Sequence, residues 1–436
     1  MTPRTVALRL LYEWDDKKNV HMEDLVHEQL RKVSWETRDR GFLTTLCYGA
    51  IRHRNTLLNI SEHFSYKPLR RYPRTVRNAF ALGIYQRLYL DTPAHAVVNS
   101  TVHAWDELAG AREKEEDRKR FVGFLNASLR GACDKIESAV SKDLHDRAMI
   151  DAPDTIWGDG AWARVKGLEL PSRASNFPEL LAIKFSHPPD MLRHWISRYE
   201  ERALLEMLRW NNRPPTPCIV LKSNVNPEHY LRKLKLSGIE PQATMDPRTL
   251  LLPHSGEIER LPGFDHGEFW VQDLTARRVA WLLPRVEHAT LLDLCAAPGG
   301  KLATLLDRGG YTHTLACDVD ARRLDRIRAN LERLGLDTPQ VHLQEVPADP
   351  TRLRLDSFDH VIVDVPCSNT GVLARRHEAR WRLIPEKMRA HSQLQTQLLR
   401  AAVGHVKRGG YLLYSTCSIE PAVSSTAQGR LRSKAA

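Results

Sequence analysis

From Gly267 onward the sequence alternates between short apolar runs and helix-length segments, a rhythm that few architectures accept. The runs are Thr290–Leu294, Thr314–Cys317, Val341–Gln344, His360–Val363 and Tyr411–Tyr414. Runs this short, with helices between most of them, predict parallel strands joined by crossovers and therefore a doubly wound, Rossmann-like α/β sheet. Sheets of that kind build their sites just past the carboxyl ends of their strands. The residues that follow each run are thus the ones where chemistry is expected.

The remainder of the chain reads differently. Residues 1–145 carry apolar residues at three- and four-residue spacing and read as an all-α helical bundle, opened by Thr2 as N-cap with Pro3 in the first turn. A Pro-, Gly- and Asp-rich stretch from Asp151 to Pro171 reads as a linker, so 146–212 is expected to be linker and helical connector. One helix, Pro227–Leu236, between the short runs Cys218–Leu221 and Leu250–Leu252 suggests a small α+β module over 213–266, with the Rossmann-like domain at 267–436.

Lys and Arg total 64 against 53 Asp and Glu, a formal charge of +11, which favours polyanionic partners over acidic ones. The excess is concentrated between Arg52 and Arg87, where Arg52, Arg54, Arg70, Arg71, Arg74 and Arg77 meet the single acid Glu62. That face is expected either to bind nucleic acid or to be a solvated helix surface. Seven cysteines, spread singly and without a CxxC pair, suit neither a disulfide framework nor a zinc site, so reduced thiols and no metal are expected. No apolar stretch is long enough to span a membrane or to serve as a signal peptide, and a cytoplasmic protein that makes no membrane contact is expected.

Three strand ends carry the chemistry. After Leu291–Leu294 comes Cys295-Ala296-Ala297-Pro298-Gly299-Gly300-Lys301, a glycine turn opening a helix, where backbone N–H groups can approach a ligand closely. It is neither GxGxxG nor a P-loop, so hydride transfer and nucleotide hydrolysis are disfavoured. Asp318 ends the next strand, where doubly wound folds place an acid on ribose hydroxyls; a helix N-cap is the other reading. Asp364-Val365-Pro366-Cys367-Ser368 and Ser415-Thr416-Cys417-Ser418 each put a cysteine just past a strand end. Either cysteine alone would read as a small buried hydrophobe. Two at equivalent ends suggest a shared site.

CAAPGGK, DVPCSNTG and YSTCS together closely resemble the RNA cytosine-C5 methyltransferases that use S-adenosyl-L-methionine. The N-terminal stretch, through Thr37–Phe42, Cys47–Arg52 and Phe121–Arg130, is similar to the antitermination-factor-like RNA-binding domain fused to the Sun/Fmu branch, which acts on 16S ribosomal RNA in rRNA processing. The resemblance runs from about Pro3 to Pro421. It implies that Cys417 is the nucleophile that adds to C6 of cytosine, and that Asp364 holds the base as a protonated carboxyl. It also implies that Cys367 helps to remove the C5 proton and release the product. It implies a cofactor held by Cys295–Lys301, Asp318, Asp349 and Asp364. At Asp349 the chain reads Pro347-Ala348-Asp349-Pro350 where the family has a Gly-Asp-Gly-like turn. Arg375, Arg376 and Arg380, beside Trp381, suit RNA phosphates and stacked bases. Gln272-Asp273 is expected to be structural, and a monomer is expected.

The segment Ala422–Ala436 has almost no apolar residues. It is expected to be unable to supply the helix and final strand pair of a seven-stranded methyltransferase sheet, as in a truncated product whose last strand would become an exposed apolar edge. The competing expectations are a catalytically impaired RNA-binding remnant, and a cytosine-C5 methyltransferase for transfer RNA or another RNA.

Overall fold

A computed structural model describes residues 1–17, 20–110, 113–253 and 258–420. The segment Ala422–Ala436, on which the expectation of missing strands rests, lies outside the described residues. The chain forms two compact units, Met1–Pro214 with Val372–Arg382, and Pro215–Gly371 with Leu383 onward.

The first unit opens with helices α1 (Pro3–Asp16), α2 (Met22–Lys32), α3 (Thr37–Arg52), α4 (Arg54–His63), α5 (Arg74–Tyr89), α6 (Ala94–Ala109) and α7 (Glu115–Cys133). The Thr2 side chain accepts from Thr5 N–H and caps α1, whose Val6, Leu10 and Trp14 turn inward. Their partners in one core include Leu46, Phe80, Trp105, Phe124 and Leu129.

Two expectations need correction here. Residues 1–145 were expected to be all helical, but Ile136–Ser141 is a strand, β1. The supposed linker holds helix α8 (Arg147–Asp151) and strands β2 (Thr155–Trp157) and β3 (Trp162–Val165), paired antiparallel in the order β1-β3-β2. Trp157, Trp162 and Val165 are buried, so the stretch is held by apolar burial despite its turn-rich composition. Helices α9 (Arg173–Lys184), α10 (Pro189–Ile196) and α11 (Glu201–Asn212) complete this part.

Residues 372–382 belong to the same unit and are bonded into it. Trp381 Nε1 donates to Ile51 O at 2.7 Å, and Glu378 accepts from Trp14 Nε1 at 2.7 Å. The Arg380 guanidinium donates to Ser186 O at 2.9 Å, Asn212 Oδ1 at 2.7 Å and Asn211 O at 2.8 Å.

The second unit contains two sheets. Strands β4 (Cys218–Leu221), β5 (Gln242–Ala243), β6 (Thr249–Leu251) and β7 (Phe269–Val271) form an antiparallel sheet ordered β5-β6-β4-β7, accompanied by α12 (Pro227–Leu236). The expected boundary at 266/267 therefore cuts β7 from the sheet it closes. After α13 (Leu274–Ala280) the chain runs through β8 (Ala289–Asp293), α14 (Gly300–Arg308), β9 (Tyr311–Asp318), α15 (Ala321–Leu334), β10 (Val341–Glu345), β11 (Phe358–Asp364), α16 (Pro385–Gly404) and β12 (Val406–Ser415).

These last five strands are all parallel, in the order β10-β9-β8-β11-β12. Alternate residues feed the two faces. Leu291, Ala316, Ile362 and Leu413 pack with Leu302, Leu305, Ile327 and Leu331, while Leu292, Leu315, Val361 and Val363 pack with Leu398 and Ala402. The chain winds outward from β8 to β10, then crosses back to β11 on the other side of β8. That reversal opens a crevice at the carboxyl ends of β8 and β11.

Candidate active site

The glycine turn sits at this crevice. Gly299 takes φ +96°, where a side chain would be strained, and N-caps α14. Gln272 is buried, accepting from Trp270 Nε1 at 2.9 Å and from Thr304 Oγ1 at 2.6 Å, and so fixes the first turns of α14 to β7; Asp273 caps α13. At the end of β8, Asp293 is 2% exposed and its Oδ1 has no hydrogen-bond partner among the described residues. Burial pushes its carboxyl up to about 7, against the pull of the nearby Lys301 ammonium.

Asp318, 4% exposed, ends β9 and receives the Arg323 guanidinium at 3.2 Å and Asp320 N–H at 3.2 Å. Arg323 also donates to Ala297 O at 3.4 Å, tying the strand end to the glycine turn. The alternative reading of Asp318 as helix cap falls to its neighbour, since Asp320 caps α15. Asp349 accepts from Thr351 N–H at 3.0 Å and Thr351 Oγ1 at 2.7 Å, and those bonds hold its carboxyl low. Burial pushes the Cys295 thiol up.

Across the crevice, β11 and β12 run in register with Asp364 opposite Ser415, which brings the two cysteine loops side by side. Val365 N–H donates to Ser415 O at 3.0 Å and Gly371 N–H to Cys417 O at 2.9 Å. The buried hydroxyls of Ser368 and Ser418 meet at 2.7 Å, and Ile419 N–H donates to Thr370 Oγ1 at 3.1 Å. From α16, buried Gln395 donates to Pro366 O at 2.7 Å. The result is that Cys367 and Cys417 are paired, with Cα atoms 6.4 Å apart, inside the span a disulfide bridges. Free thiols had been expected throughout; the described ones are Cys47, Cys133, Cys218, Cys295 and Cys317.

Asp364 accepts from Lys301 Nζ at 2.6 Å and Ser415 Oγ at 2.7 Å. Asp364, expected to hold the base, is here ion-paired with the Lys301 ammonium and bonded to the Ser415 hydroxyl. Lys301, expected only as part of the cofactor turn, is thereby the cation of the cysteine site as well.

The expected RNA-contacting arginines divide. Arg70, Arg71, Arg74 and Arg375 are exposed, but Arg74 pairs with Asp16 at 3.0 Å; Arg54 pairs with Asp15 at 2.9 Å, and Arg376 pairs with Glu23 at 2.6 Å. Arg77 is half-buried. Arg52 at 6% exposure and Arg380 at 1% are corrected: they are interior groups, and the two terminal nitrogens of Arg380 donate to protein oxygens. Trp381 packs on the helical core. Charge in a sequence does not distinguish a surface cation from one that ties carbonyls together inside.

Sequence reasoning also passed over Ser368, Thr370, Gly371, Gln395, Ser415 and Ser418, the residues that position the two cysteines. Their position inside or beside the two cysteine motifs was the available signal for all but Gln395. Among the described residues no cluster of three or more His, Cys, Asp or Glu could hold a metal, and no helix is long and apolar enough to cross a membrane.

Comparison with known proteins agrees with this layout. Residues 279–433 match the family described as 16S rRNA methyltransferase RsmB/F, and residues 1–133 match the NusB family. A ribosomal RNA small subunit methyltransferase B of Vibrio vulnificus (strain YJ016) is 30% identical over 424 residues, which covers 97% of this chain and 88% of the relative. That of Pseudomonas syringae pv. tomato (strain ATCC BAA-871 / DC3000) is 31% identical over 425 residues, covering 97% and 84%. The solved structure of PH0851 superposes with a TM-score of 0.76 over 99% of this chain and 90% of that one, at 20% identity, and so shares the fold. With a NusB-like helical part, a five-stranded parallel sheet and this identity over nearly its whole length, the chain belongs to the ribosomal RNA small subunit methyltransferase B family.

Proposed function

We propose that this chain methylates C5 of a cytosine in 16S ribosomal RNA through a covalent bond between Cys417 and C6 of the base. The observation that carries the reading is the convergence of Cys417 and Cys367 beside the Lys301–Asp364 pair. The residues at the ends of β8 and β9 fit S-adenosyl-L-methionine. Gly299, at positive φ, makes the turn that opens α14, Asp318 offers a carboxylate for ribose hydroxyls, and the orphaned Asp293 Oδ1 is a buried acceptor lacking a donor. When bound, the cofactor supplies a methyl group made electrophilic by its sulfonium.

C5 of cytosine is a poor nucleophile. Attack by the Cys417 thiolate at C6 forms a C–S bond and moves electron density onto C5 and N3. Lys301 stabilises the negative charge that develops on the ring, and the Asp364 carboxylate accepts from the exocyclic amino group. After C5 is methylated, the Cys367 thiolate takes the C5 proton, the C6–S bond breaks and Cys417 leaves as thiolate. Both sulfurs must be reduced for this cycle. The exposed Arg70 and Arg71, and Arg74 where phosphate displaces Asp16, supply phosphate contacts, which makes RNA binding steeply dependent on salt.

The test is transfer of labelled methyl to unmodified 16S RNA by reduced protein. Label at cytosine C5, lost in Cys417→Ala and replaced by a trapped RNA adduct in Cys367→Ala, is expected. Turnover by Cys417→Ala would overturn the mechanism, and label in transfer RNA alone would overturn the substrate. Absence of any rise in melting midpoint with S-adenosyl-L-methionine would favour an RNA-binding remnant.

A further inference from the structure

Asn369 lies beside the paired sulfurs of Cys367 and Cys417. Its Oδ1 is 3.4 Å from Cys417 Sγ and 4.0 Å from Cys367 Sγ, and its own N–H donates to Cys367 Sγ at 3.4 Å. Nδ2 donates to Cys367 O at 3.4 Å. The residue adopts φ +59°, a left-handed conformation that asparagine tolerates better than most side chains. Polar groups from the neighbouring elements are otherwise engaged. Asp364 and Lys301 are bonded to each other, Ser415 donates to Asp364, and Ser368, Thr370 and Ser418 are bonded among themselves. The Asn369 amide is a neutral group within reach of both sulfurs and can either accept or donate.

We propose that Asn369 is a positioning residue that sets the ionisation of Cys417: its amide accepts from the thiol and, turned by half a rotation, donates Nδ2–H to the thiolate. The thiol proton leaves to water, and no bond to carbon is involved. This rests on the reading of Cys417 as the attacking group. It adds to that reading the residue that makes the attacking form available at neutral pH.

The experiment follows the iodoacetamide alkylation rate of Cys417, by peptide mass spectrometry, in the full-length reduced protein over about pH 6 to 10. Asn369→Gly removes the amide and retains a residue suited to positive φ, so the turn persists. Its alkylation midpoint is expected to rise by about one pH unit, which is about tenfold less thiolate at any pH below the midpoint. Asn369→Asp keeps the shape and places a carboxylate against the thiolate, and its midpoint is expected to rise further. Asn369→Gly or Asn369→Asp profiles superimposable on the parent overturn the proposal. Because no RNA is present, shifted midpoints in a protein that methylates nothing would sink the methyltransferase reading and leave this one standing.

Discussion

Replacing Gly371 by alanine adds one methyl group where the two cysteine loops touch. A Cβ there would lie 2.6 Å from Cys417 O, against about 3.4 Å for ordinary contact, so the loops must part by about 0.8 Å. The obstacle is backbone that Gly371 N–H itself holds at 2.9 Å, and it cannot swing aside as a side chain would. Gly371 does not have positive φ, so the effect is steric and not conformational. A displacement near 1 Å at a reacting group costs about 100-fold in rate, or about 2.7 kcal/mol of barrier. Overpacking of this kind costs about 1–3 kcal/mol of stability. Single-turnover methyl transfer to 16S RNA is the assay, with S-adenosyl-L-methionine affinity measured in parallel and expected to hold, since the glycine turn is untouched. Gly404→Ala, in open space at the end of α16, is the control and should match the parent. A Gly371→Ala rate within twofold of the parent would show that the close approach of these loops does not set the geometry of the cysteines.

Three further outcomes are expected. Arg380→Ala strips the donors from Ser186 O, Asn211 O and Asn212 Oδ1 and should destabilise the first unit by about 2–4 kcal/mol in urea unfolding, whereas a substitution at exposed Arg71 should stay within about 0.5 kcal/mol. Burial opposes ionisation of Glu378, but bonds from His21 and Trp14 and the Arg382 charge outweigh it and lower its carboxyl to about 2. Its folded value is depressed, so its stabilisation is present above the ordinary carboxylate range and lost as pH falls from roughly 5 to 2; Glu378→Gln should flatten that part of the stability–pH curve. Methyl transfer should vanish in diamide-treated protein and return with dithiothreitol, because a Cys367–Cys417 disulfide removes both thiolates; activity that persists after complete oxidation would refute the two-thiol cycle.

The parallel sheet and the site at its strand ends were legible because both depend on local signals. Short apolar runs mark β8 to β12, and a glycine pair can hardly follow a strand without making a turn. The strands β1, β2 and β3 were not legible: each is brief, and β2 and β3 lie among prolines and glycines that read as linker, while the pairing that stabilises all three is between residues distant in sequence, such as Ile136 and Val165. Arg380 was misread for a related reason. Its solvation is replaced by carbonyls from α11 and from the loop after α9, which no window around residue 380 contains. The bonds to Asp364 were likewise hidden because its partners, Lys301 and Ser415, come from two other elements.

The excursion of residues 372–382 into the helical unit bears on modularity. A gene fragment ending at Pro214 encodes the NusB-like helices and the strands after them but omits the strip that carries Trp381, Glu378 and Arg380. Such a fragment would leave Trp14 Nε1, Ile51 O and Asn212 Oδ1 without their partners. The helical half is therefore not a cassette that can be exchanged by cutting at one linker. Swaps between relatives would need a second graft, from Val372 to Arg382, and natural recombination at the linker alone should be selected against for the same reason.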